Sequence, residues 1–171
     1  MRDREKTLVL GFGNPARGDD GLGPALIARL EDAGVEWMET RADYQLCVED
    51  AMDIGRFARV IFADASKHAD PPFAYYPLPD NPPPANLDTH SLSPEALMFL
   101  ARNLFNARTT ASVLAIRGYR FAPFVESLSP GAAENLQQAF CYLTGGAKKR
   151  TVLDPHLSRN RFPCVIARCS D

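Results

Sequence analysis

Residues 6–12, Lys-Thr-Leu-Val-Leu-Gly-Phe, form a continuous apolar run with β-branched character. A strand with one wet face alternates polar and apolar residues. An unbroken run is instead the pattern of a strand buried on both faces, which belongs mainly to parallel sheets covered by helices on either side. The rest of the chain fits that frame. After a Gly/Asp loop, Pro24 suits the first turn of a helix in which Leu26, Ile27 and Leu30 recur at helical spacing, and Gly34 ends it. Val35–Thr40 reads as a second strand and Leu46–Phe57 as a second helix with Val48, Met52 and Ile54 inward. Arg59–Ala65 is another buried strand, and Phe73–Leu78 an edge strand, since prolines on either side exclude a central one. Pro94–Asn106 is a helix, Ser112–Tyr119 a strand, and Pro130–Thr144 a last helix stopped by Gly145-Gly146. The alternation predicts a single-domain, three-layer α/β/α fold with a mostly parallel twisted sheet. It spans residues 1–146, and 147–171 form a C-terminal tail of uncertain order.

Composition excludes several function classes. A chain of 171 residues, 46% hydrophobic and with net charge −2, can bury a real core and lacks the bulk charge of a nucleic-acid binder. Its charged N-terminus leads into too short an apolar run for a signal peptide, and no stretch is long enough to span a bilayer. Cys47, Cys141, Cys164 and Cys169 form no CxxC pair and are best read as reduced thiols, giving a cytoplasmic expectation. Seven of the fourteen prolines lie between Lys67 and His90, a stiff, extended, exposed segment. Ser91-Leu-Ser-Pro-Glu-Ala and Ser127-Leu-Ser-Pro-Gly-Ala nearly repeat, as two independent good helix starts do, with a Ser cap before Pro.

In sheets of this kind, function gathers at the carboxyl ends of the strands, near the switch in strand order. Asp20 after the first strand, Asp64 closing the third and His90 in the loop before the Ser93-Pro94 helix pass that test. If the first and third strands are neighbours, the two carboxylates face each other across the switch point. His90 could then complete a set suited to a borderline divalent ion with open positions, such as nickel or zinc. Each residue also has a plainer reading. Asp19 or Asp20 could cap the next helix or a Gly turn, Asp64 could form an Asx-turn, and His90 could simply be solvated.

Other constellations are weaker. Cys47 has no evident His partner for a thiol nucleophile, no Gly-x-Ser-x-Gly elbow exists, and His68 and His156 read as surface residues. Glu49-Asp50 reads as a solvated helix face. Arg117, at the end of a strand, could bind a carboxylate or substrate backbone, or pair structurally with one of the acids. Gly11-Phe-Gly13-Asn-Pro-Ala16 formally matches a dinucleotide fingerprint with Glu39 downstream. The helix, however, starts near Leu22–Pro24, so a pyrophosphate would lose its helix N-terminus and meet two carboxylates.

Gly11-Phe-Gly-Asn-Pro-Ala-Arg-Gly-Asp-Asp-Gly-Leu-Gly23 resembles the N-terminal signature of the hydrogenase maturation proteases. The likeness continues through Tyr44-Gln45-Leu46, Val60–Ala65, Thr89-His90-Ser-Leu-Ser-Pro-Glu95 and Ile116-Arg-Gly-Tyr119, and covers roughly residues 7 to 145. The resemblance implies an endopeptidase that trims the C-terminal extension of a NiFe-hydrogenase large-subunit precursor. It places the catalytic and metal-contacting positions at Asp20, Asp64 and His90. Many relatives carry Glu where this chain has Asp20, which leaves Asp19 and Asp20 to be distinguished. The resemblance further implies that nickel arrives with the precursor, with no permanently bound cofactor. Oligomeric state is left open, with monomer the default for a protein that must dock a larger partner, and charge and hydropathy lead to no expectation of a nucleic-acid or membrane partner. Whether a carboxylate or metal-bound water attacks the peptide is open. A non-catalytic metal-dependent chaperone that docks the large subunit through the Pro-rich segment is the alternative.

Overall fold

The computed structural model describes residues 6–80 and 92–145. His90, the last part of the Pro-rich segment (residues 81–90) and the 147–171 tail lie outside the described residues. Among the described residues, five strands form one sheet: β1 (Thr7–Phe12), β2 (Met38–Asp43), β3 (Arg59–Ser66), β4 (Phe73–Pro77) and β5 (Thr110–Arg117), in the order β2-β1-β3-β5-β4. All neighbours are parallel except β4, which pairs antiparallel with β5 at the edge, where its prolines can be accommodated. Four helices cover the faces: α1 (Leu22–Asp32), α2 (Val48–Ile54), α3 (Pro94–Phe105) and α4 (Pro130–Gly145). The expected single-domain α/β three-layer fold is what forms.

The alternation of side chains along each strand sorts the core into two halves. Leu8, Leu10, Val60, Phe62 and Val113 face α2 and α3, while Val9, Ile61, Ala63, Leu114 and Ile116 face α1 and α4. Leu8, Val9 and Leu10 are each at most 4% exposed, so the run that opens the chain is indeed buried on both sides. In α1, Leu22, Leu26, Ile27 and Leu30 form the inward stripe. Burial of four such side chains favours folding by roughly 6–12 kcal/mol before chain entropy is counted. Gly34, at φ 59, ends the helix as expected. Ser93 caps α3, its Oγ accepting from Ala96 N at 3.2 Å.

Two details differ from the sequence reading. The strand expected over Val35–Thr40 begins only at Met38, because Val35–Trp37 form a turn closed by Met38 N donating to Val35 O at 3.2 Å. In α2, Val48 and Met52 are 39% and 59% exposed and not inward; Ala51 and Ile54 are buried, with Leu46 and Phe57 buried on either side. The reason is that α2 meets α3 through a small residue, Ala51, so its larger side chains at i and i+4 take the outer face.

Candidate active site

Strands β1 and β3 are adjacent and parallel, with Gly11 opposite Ala63, so the residues that follow emerge side by side at the carboxyl edge of the sheet. Asp64 comes directly after Ala63 on β3. Its carboxyl is largely desolvated, and that burial, reinforced by the charge of Asp20, pushes its pKa up to about 6. One hydrogen bond opposes the shift: Ala65 N donates to Asp64 Oδ1 at 2.7 Å. This own-backbone contact is the turn-like role a strand-end Asp can take, and here it coexists with a charge partner.

Asp20 lies in a short 3₁₀ turn, Gly18–Gly21, immediately before α1. To reach that place the chain folds back over the end of β1. Gly13 permits this: its φ is 136, and a Cβ there would run into the carbonyl oxygen of Asp20. Gly23 does the same for α1, since a Cβ would strike the backbone oxygens of Phe12 and Ala63. The first turn of the helix therefore rests directly on β1 and β3. Asp20 Oδ2 accepts from Asn14 N at 3.1 Å, and Asn14 Oδ1 in turn accepts from Ala16 N at 2.9 Å, which fixes the carboxylate against its own loop.

The neighbouring Asp19 points the other way. It is fully buried, and its carboxylate receives four hydrogen bonds. Ser129 N donates to Oδ1 at 2.6 Å; Ser129 Oγ, Tyr119 N and Arg120 N donate to Oδ2 at 2.7, 2.6 and 2.8 Å. Burial alone would raise its pKa, but the bonds from Ser129, Tyr119 and Arg120 together outweigh it, and the net shift is downward. Asp19 also approaches Gly118 so closely that a Cβ there would sit 2.9 Å from the Asp19 Cβ. Of the two adjacent acids, Asp19 is committed to the interior, and Asp20 is the one that interacts electrostatically with Asp64.

Among the other residues singled out by sequence, Arg117 makes no ion pair with either acid among the described residues. Its guanidinium donates to the backbone oxygens of Lys67 and Ala69 and stacks 5.2 Å from the Tyr119 ring, so it clamps the β3–β4 connection. Its Nε is buried without a partner among the described residues. The thiol of Cys47 is pushed up to about 11 by burial and by Asp50, which leaves no thiolate for nucleophilic work. Asp50 is not a solvated acid: it accepts from Cys47 N at 3.0 Å and caps α2. Glu39 is held by Arg41 at 3.2 Å, which also pairs with Asp53 at 2.6 Å; it is not presented to a ribose. His68 is exposed. Sequence reasoning missed the function of Ser129, whose Ser-Pro signal marked a helix start but not a second partner. A cavity of about 500 Å³ opens at the opposite, amino edge of the sheet, lined by residues such as Thr7, Arg59, Tyr75 and Thr110, remote from the carboxylates.

No protein-family model matches the chain, and no curated protein matches it. Solved structures do. The [NiFe] hydrogenase maturation protease HycI from Thermococcus kodakarensis superposes with a TM-score of 0.67 at 16% identity, covering 86% of this chain and 95% of that one. The hydrogenase maturating endopeptidase HybD from E. coli gives 0.63 at 21% identity, covering 84% and 92%. The hydrogenase 2 maturation peptidase from a Thaumarchaeota archaeon gives 0.60 at 20% identity, covering 83% and 97%. The fold is that of the hydrogenase maturation proteases. The chain covers nine-tenths or more of each of these neighbours. Within this fold, the carboxylates of Asp20 and Asp64 lie where β1 and β3 end, beside the switch in strand order.

Proposed function

We propose that the chain is an endopeptidase that removes the C-terminal extension of a nickel-loaded NiFe-hydrogenase large-subunit precursor. The observation that carries this reading is the pairing of Asp20 and Asp64 at the ends of adjacent strands, on a maturation-protease fold. Two carboxylates supply hard oxygen donors, and His90 is the imidazole the sequence offers to complete the set. Nickel belongs to the substrate in this reading. It polarises the peptide bound next to it, and the chain's own residues hold and orient that substrate. Asp64, with its pKa near 6, can change protonation state at the pH of a cell and is suited to move a proton during hydrolysis. Asp20, tethered through Asn14 N, supplies the fixed negative charge opposite it. No helix among the described residues is long and apolar enough to cross a membrane.

Incubation of the purified protein with nickel-loaded precursor, followed on a gel, tests the reading. The precursor should shift to its mature size, and should not shift when nickel is withheld. Cleavage that persists in the combined His90→Ala and Asp64→Ala variant would remove the assigned roles. A stable complex whose precursor mass never changes would point to the chaperone alternative.

A further inference from the structure

The connection between β5 and α4 carries an energetic anomaly. Phe124 is 95% exposed and has φ 60, a left-handed conformation that bulky side chains seldom adopt. A Cβ in this region costs roughly 1–2 kcal/mol, and full exposure forgoes the gain of burying a phenyl ring. A residue that is unfavourable in both respects marks a place where something other than folding is served. The loop is also stiff. Val125 N donates to Ala16 O at 3.1 Å, Gly18 N donates to Val125 O at 2.5 Å, and Arg17 and Val125 form an isolated parallel bridge. Arg120 Nη2 closes the loop onto Ser127 O at 2.8 Å and Ser127 Oγ at 3.1 Å. Phe124 is therefore the rigid tip of a loop bonded to residues 16–18, the stretch that leads directly into Asp20.

Two more exposed aromatics share the edge. Tyr119, 50% exposed, follows β5, and Tyr44, 70% exposed, follows β2. In the order β2-β1-β3-β5, the Asp20/Asp64 pair at β1 and β3 lies between them. Three strand spacings separate β2 from β5, roughly 14 Å. That span exceeds the width of an extended peptide and matches part of a protein–protein interface, where rigid aromatic anchors supply most of the binding energy.

We infer that Phe124, with Tyr119 and Tyr44 as flanking contacts, is the anchor by which this chain docks the folded body of its protein substrate, in an apolar pocket of that partner. The inference rests on the proposed function for the identity of the partner, the nickel-loaded large-subunit precursor. It adds that recognition extends beyond the metal and the scissile segment to the partner's folded surface. Preorganisation explains the strain: a ring held in its bound orientation loses little freedom on association.

The test compares wild type, Phe124→Ala and Phe124→Gly, measuring precursor binding by calorimetry and trimming by steady-state kinetics. Loss of a hot-spot anchor should raise KM and Kd about 30-fold with kcat unchanged. Phe124→Gly should also raise Tm, because glycine relieves the positive φ, while binding still falls; a structural role for the ring predicts the opposite change in Tm. Unchanged KM and Kd in both variants, with wild type trimming normally, would overturn the docking role and leave the proposed function standing. Wild type that binds precursor through Phe124 but never trims it would retain the docking role and remove the endopeptidase reading. Wild type that neither binds nor trims would overturn both. A wild-type dimer in sedimentation that dissociates on Phe124→Ala would overturn the inference in favour of contact between two copies of this chain.

Discussion

Replacement of Asp19 by Ala removes the side chain that joins the Asp20 turn to the β5–α4 connection, and leaves the backbone bonds of residues 16–19 to Arg120 and Val125 in place. It leaves Ser129 N, Ser129 Oγ, Tyr119 N and Arg120 N, all in a partly buried place, without the acceptor that the fully buried Asp19 supplies. Hydrogen bonds to a charged group are worth about 1.5–3 kcal/mol each, so simple addition gives roughly 6–12 kcal/mol. Addition overstates the loss, because the four donors act on one carboxylate and are not independent. Ser129 Oγ can turn toward another acceptor, and water can enter the space vacated. An expected loss of about 3–5 kcal/mol follows, comparable to breaking a buried charged network elsewhere. With a urea m-value of about 2 kcal/mol/M, the midpoint at pH 7 should fall by roughly 2 M. The pH dependence supplies an internal check. The folded-state pKa of Asp19 lies below the unfolded value of 3.8, so its contribution is fully present above 3.8 and is lost as pH falls through the folded-state value. The gap between wild type and Asp19→Ala should therefore be constant from pH 5 to 8 and shrink in strong acid. A loss at pH 7 below about 1 kcal/mol would refute the reasoning, since it would mean that the four donors are satisfied without Asp19.

Asp64→Asn should behave in the reverse sense. The folded-state pKa of Asp64 is raised to about 6 from 3.8, so ionisation penalises the folded state increasingly as pH rises through that interval and by a constant amount above it. Chemical denaturation should show the variant about 2–3 kcal/mol more stable than wild type at pH 8 and no different near pH 3. Its rate of precursor trimming should fall about 100-fold or more. Gly13→Ala places a Cβ against the Asp20 carbonyl at a φ of 136. Thermal melts should show a destabilisation of about 2 kcal/mol or more, and trimming should fall with it. A variant as stable and as active as wild type would mean that the loop does not fold back over β1.

The fold was legible because it is written in patterns that survive without tertiary information. The apolar run at β1, the helical spacing of Leu26, Ile27 and Leu30, the prolines flanking β4 and the Ser-Pro starts of α3 and α4 each have a local physical cause. What failed was whatever depended on a neighbour. The face of α2 was misread because periodicity cannot say which side meets α3, and a close helix contact favours Ala51 over Val48 and Met52. Arg117 was expected to seek an acid, yet the carbonyls of Lys67 and Ala69 reach it first through the folded β3–β4 connection. The strand-end rule pointed to Asp20 and Asp64, and the adjacent strands β1 and β3 bring those two residues to one edge of the sheet. It could not separate Asp20 from Asp19, because that distinction depends on Ser129, 110 residues further along the chain.

The two adjacent aspartates show how one short stretch divides labour between stability and chemistry. A carboxylate brought to the mouth of a sheet beside another carboxylate is repelled, and here that repulsion adds to the burial that chiefly raises the pKa of Asp64. Asn14 N holds the Asp20 carboxylate within its own loop, but that bond does not stop the loop as a whole from swinging away. Asp19 opposes the swing. Its charge is neutralised by donors instead of by a cation, so it anchors the turn from the interior without adding a competing ligand to the cleft. Gly13 and Gly23 then let the backbone come close enough for the anchor and the exposed acid to be consecutive residues. Negative charge in the loop disfavours a phosphate, and the buried half of that charge helps to hold the other half at the mouth of the sheet.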